Sequence, residues 1–193
     1  MARWRGHGGS PEDFRGALGE LWFAPGRFFR RLDPEGGLLR PALFATLVMY
    51  LNLVLEAVLQ AVWTRELTYA LLYAPVLGFV VSAVLAPLLV AGLAALVLVV
   101  LDGAPSRRRF VPVFRVLGYS SGIGIVLWVP YGPLVALPYG LLVATLAVRE
   151  ALGLTWGRAA LGTLVPLGAA LLVVLLLTGP EDAYELLRNP PGG

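Results

Sequence analysis

From Pro41 to Thr178 the sequence is a succession of apolar runs separated by short polar, Pro- or Gly-bearing breaks. A helix needs about 20 consecutive apolar residues to cross the hydrocarbon core of a bilayer. Backbone N–H and C=O groups have no water to bond in hydrocarbon, so a spanning element must satisfy them internally, as a helix does. The expected fold class is therefore all-α: a polytopic membrane helical bundle of about five transmembrane helices, preceded by an N-terminal interfacial amphipathic helix. Composition agrees. The chain is 58% hydrophobic and 14% charged, against about 45–50% and 25% in ordinary soluble domains.

The five runs fall at 41–63, 69–101, 112–129, 133–148 and 158–178. The second is long for one crossing and carries Pro75 and Pro87, which predicts a tilted or kinked helix. The third is short and rich in Gly, and Pro130-Tyr131-Gly132-Pro133 is a turn signal separating it from the fourth. Pro166 predicts a kink in the fifth. If the third run re-entered without crossing, four spans would put both chain ends on one side. The expected organisation is a disordered head at 1–9, a cytoplasmic interfacial segment at 10–37, a five-span membrane domain at 38–178 and an extracytoplasmic tail at 179–193.

Ser10-Pro11-Glu12-Asp13 reads as a helix start, with a capping Ser, Pro at the first helical position and acids at the positive end of the dipole. Phe14, Leu18, Leu21 and Trp22 then form one apolar stripe, and Phe28, Phe29 and Leu32 resume it after Pro25. Arg27, Arg30 and Arg31 flank the second part. This pattern predicts a helix in the membrane interface, aromatic side toward the lipid tails and Arg toward the phosphates. Asp33-Pro34-Glu35-Gly36-Gly37 ends it.

All basic residues apart from one His are Arg, 15 in number. With a cytoplasmic N-terminus and five spans, all of them but Arg65 and Arg188 fall on the cytoplasmic side, as the positive-inside rule requires. Trp63, Tyr69, Trp128 and Tyr131 would then mark the outer interface, and Trp22 and Trp156 the inner. The expected location is the plasma (inner) membrane, multi-pass, with the C-terminus outside.

Glu56 is the one acid well inside a run. An ionisable side chain there costs about 2.5–3.5 kcal/mol on insertion scales, which makes it a functional candidate. Asn52, Glu56 and Gln60 recur at every fourth position, one face of a helix that should point into the bundle. The stripe reads either as an interhelical polar staple or as part of a solute, proton or lipid-headgroup path. Gly118-Tyr119-Ser120-Ser121-Gly122 has the letters of a nucleophile elbow, but the one His is His7 in the head and no Lys exists to activate a serine. Helix packing through small residues is the better reading, with Tyr119, Ser120 and Ser121 joining the candidate polar intramembrane site. Ser121 is expected near the depth of Asn52.

Arg107-Arg108-Arg109 reads as a positive-inside signal that, with Arg27, Arg30 and Arg31, could contact anionic lipid headgroups. The cluster is too small for nucleic acid. Cys is absent, a single His cannot build an ordinary zinc site, and no nucleotide-binding glycine pattern occurs. No catalytic group, metal or cofactor is expected. The expected partners are membrane lipids, with a protein partner or a second copy as further candidates.

Pro25-Gly26-Arg27-Phe28-Phe29-Arg30-Arg31-Leu32 resembles the Pro-x-x-Phe-Phe-x-x-Leu segment that precedes the first span in prokaryotic relatives of the Yip-type family, membrane proteins named for interacting with small Ypt/Rab GTPases. Gly118-Tyr119, with Pro130 beyond it, is similar to that family's Gly-Tyr motif. The resemblance covers nearly all of the chain. It implies a five-span bundle with a cytoplasmic N-terminus, no known catalytic site and a scaffold or trafficking-like role. The competing expectation is a small transporter or channel with a polar pathway along the first span at Glu56.

Overall fold

The computed structural model of the chain describes residues 14–33, 36–65, 72–104 and 106–169. These residues are helical or connect helices, with no strand among them. The helix start read at Ser10–Asp13, the head, the tail, Tyr69 and the end of the fifth run lie outside the described residues.

Helix α1 (Phe14–Phe23) is followed by α2 (Pro25–Arg31). Ala24 between them has φ −148 and ψ 51, because a residue before Pro is pushed out of the helical region. Pro25 then opens α2 where its missing N–H costs nothing, and Arg30 and Arg31 favour its negative C-terminal end. The aromatic side of the pair packs on protein, which corrects the expectation that it faces lipid tails. Leu21, Phe28 and Phe29 are buried, Phe28 lies edge-on to Tyr119 at 5.4 Å, and Phe14 meets Phe44 at 5.0 Å. Phe23, at the vertex between the two helices, is 91% exposed.

Helix α3 (Leu39–Thr64) and helix α4 (Ala74–Asp102) form the longest hairpin. Ala74, Gly78, Ser82, Ala86, Val90 and Ala94 make a buried ridge of mostly small residues at every fourth position of α4, and small residues let helix backbones close up without a hydrophobic drive in lipid. Gly78 faces Leu53, Tyr50 and Val54 of α3. Pro75 stands at the start of α4, where Pro is tolerated, and so makes no kink of its own; Pro87 lies inside the helix.

Helix α5 (Arg107–Ser120) begins five residues before the expected third run, since Ser106 is extended and Pro112 is accommodated within the helix. It tightens into a 3-10 segment, η1 (Ser121–Val126), and turns at 127–131 into α6 (Gly132–Leu152). A seventh helix, α7, is described over 156–169. Among the described residues, α3, α4 and α6 are long and apolar enough to cross a membrane.

The contacts fix relative heights. Gly118 abuts Pro41, Gly122 abuts Phe44, and the Trp128 N–H donates to Asn52 Oδ1 at 3.2 Å. Thus α5 and η1 climb alongside α3 and turn back at Asn52, its midpoint. Beyond Asn52, α3 continues for about 18 Å at 1.5 Å per residue. Trp63 and Trp128 therefore lie about 16 Å apart along α3, so the residues of the expected outer belt do not stand at one height.

Candidate functional site

The polar stripe of α3 is divided by the end of the α5–α6 hairpin. Asn52 is half-buried; its Nδ2 donates to Val48 O at 2.9 Å and its Oδ1 takes the Trp128 N–H. It thereby satisfies one backbone donor of the turn. Glu56 and Gln60, one and two turns higher, are exposed. The expected inward face thus holds for Asn52 alone. The reason is the length of the neighbouring hairpin, which has turned back before it could cover them.

Tyr119, Ser120 and Ser121 stand a level lower. Tyr119 is buried between Phe28 and Phe44, whose ring centroids lie 5.4 and 5.3 Å away. Ser120 Oγ donates to Leu117 O at 3.0 Å, and Ser121 Oγ to Gly118 O at 2.7 Å. Both hydroxyls back-bond to their own helix, and the segment joins α5 to η1 rather than a strand to a helix, so no nucleophile elbow exists. Ser121 flanks the first turns of α3, not Asn52. The two halves of the candidate site do not meet.

The glycines of this segment create seats for α3 and α1 instead. A methyl group on Gly118 would come within 2.9 Å of Pro41 Cβ and 3.0 Å of its carbonyl oxygen; one on Gly122 would meet Leu21 at 2.8 Å and Phe44 at 2.9 Å. Trp22 Nε1 donates to Gly122 O at 3.3 Å, and the Tyr139 hydroxyl donates to Trp22 O at 2.6 Å. Trp22, read from sequence as an interface marker, is thus a tie between α1, η1 and α6.

Sequence reasoning passed over Arg115. It is 5% exposed, its Nη1 donates to Gly37 O at 2.8 Å, and its Nε is buried without a hydrogen-bond partner. Gly36 lies so close on the guanidinium that any side chain there would collide with it. The legible signal was a lone Arg among Val113, Phe114, Val116 and Leu117. The Thr145 and Thr163 hydroxyls, 2.8 Å apart, join α6 to α7, and Arg149 pairs with Glu150 at 3.1 Å beneath the ring of Trp156.

Of the candidate headgroup contacts, Arg27, Arg30, Arg31 and Arg108 are exposed. Arg31 also reaches Glu20 at 3.3 Å, and Arg109 is ion-paired with Asp102. Arg107 opens α5. Exposed pairs of this kind contribute roughly 0–1 kcal/mol, so they leave most of the basic charge at this end available. No group of acids and His that could hold a metal occurs among the described residues.

The family model described as Yip1 domain matches residues 19–178. No curated protein and no solved structure matches the chain.

Proposed function

The chain belongs to the Yip1-domain family, and from that premise we propose that it is a multi-pass membrane scaffold, without enzymatic turnover, whose Arg-rich end gathers anionic lipids. In this reading the N-terminus and the Arg-rich end are cytoplasmic, the C-terminus is outside and the host is the plasma membrane. One observation carries it: α2 is fastened to the bundle by Phe28 and Phe29 while Arg27, Arg30 and Arg31 stay exposed. An interfacial helix that spends its apolar side on protein is held in a fixed position, and its cations become a surface. Each basic residue near an anionic leaflet contributes about 1 kcal/mol.

The test is native mass spectrometry of protein released from mixed anionic and zwitterionic bilayers. Wild type is expected to retain anionic lipid preferentially, and Arg27→Gln, Arg30→Gln, Arg31→Gln together should abolish the preference. Equal retention by the triple variant overturns the lipid reading, and crosslinking in the native membrane then looks for a protein partner. Ion and proton flux through reconstituted protein is expected to match empty vesicles. Flux that disappears in Glu56→Ala would replace the scaffold by a transporter.

A further inference from the structure

The polar face of α3 runs on past the end of the α5–α6 hairpin, and the described residues leave it uncovered. We propose that the leaflet at the Thr64 end of α3 dips here onto the hairpin tip, so that Glu56 and Gln60 stand in a notch filled by water and the headgroups of that leaflet.

Three observations converge. The first is height. Above Asn52, where the hairpin turns, α3 continues to Thr64 and exposes Val58, Val62 and Trp63. That stretch rises about 18 Å beyond the tip, and an apolar surface of this kind belongs in lipid. A leaflet level with Thr64 on every side would bury the tip about 18 Å below its surface.

The second is the chemistry of the tip. Val129, Pro130 and Tyr131 are exposed, Tyr131 81%, in an irregular turn where Tyr131 has φ 64. Irregular backbone facing lipid is not found inside hydrocarbon, whereas an exposed Tyr belongs at headgroup level. The third is the stripe itself. Glu56 and Gln60 lie on the face of α3 that Asn52 turns to the tip, and both are exposed on a helix otherwise apolar at this depth. Hydrocarbon would leave them unsolvated. A bilayer answers a short hydrophobic segment by local thinning at modest cost, and the same dip that wets the tip wets the stripe above it.

The chain has no Cys, so single-Cys variants report one position each. Spin labels at Glu56→Cys, Gln60→Cys and Tyr131→Cys, in protein reconstituted into phosphatidylcholine vesicles, are compared with Val80→Cys and Val84→Cys on the exposed face of α4. Accessibility to a water-soluble nickel chelate is expected to be several-fold higher at the three notch positions than at the α4 positions, where dissolved oxygen should dominate. Oxygen-dominated labels at 56 and 60 would mean hydrocarbon and overturn the notch. Labels shielded from both reagents would mean that a later segment of the chain, a second copy or another protein covers the stripe, and would overturn it equally. Gln60 has an exposed side chain, so its variant reads the notch even if the other two fail to fold.

Discussion

At the scale of single residues, the sharpest contrasts are among glycines. Gly118 faces the backbone carbonyl of Pro41, which cannot rotate away, so Gly118→Ala should destabilise the bundle by about 1–3 kcal/mol through overpacking. Gly19, on α1, has nothing near the position of a Cβ. Gly19→Ala should be neutral or stabilise by up to about 1 kcal/mol, since Ala is the better helix former. Thermal unfolding in detergent, read by circular dichroism, would rank the two against wild type; equal midpoints would refute the close approach. The sequence showed that Gly118 and Gly122 are small and four apart, but not which element fills the gap. Nor could it show that Glu56 is uncovered, because that depends on where a hairpin more than seventy residues later stops.

At the scale of elements, long apolar periods were readable and their ends less so. The first run became α3 almost as bounded, since a span needs little beyond continuous apolarity. The third was misjudged at its start: Pro112 resembled a boundary, yet α5 runs through it, because neighbouring packing offsets one lost hydrogen bond. The turn at 127–131 was legible from its Pro and Gly, and its stability is local. A side chain at Gly132 would strike the carbonyl of Val126. Gly132→Ala should therefore loosen the hairpin tip specifically. Hydrogen exchange should rise over 123–135 and stay unchanged in α3 and α4; unaltered exchange at the tip would show that the turn has room to spare. The amphipathic α1–α2 pair was legible as amphipathic but not as docked, because an aromatic face suits a bilayer and a protein equally well.

At the scale of the whole molecule, the positions of Arg predict an orientation that follows from the exposed basic rim and awaits its own measurement. Impermeant maleimide applied to right-side-out and inverted vesicles should label Arg108→Cys only in the inverted preparation and Thr64→Cys only in the other. The reverse pattern would invert the molecule, and with it the leaflet whose lipids the Arg-rich end can meet. Among the described residues the bundle also carries unequal girth along its height. Beside the half of α3 below Asn52 stand α1, α2, η1 and α6, held there by Gly118, Gly122, Trp22 and Tyr139; above it, among the described residues, α3 has α4 for company. A body wider in one leaflet than in the other is a cone, and a cone fits best where the leaflet at its broad end is stretched. In a mixture of vesicle sizes the protein should gather on the smaller ones when its Arg-rich end faces outward, and avoid them when it faces inward.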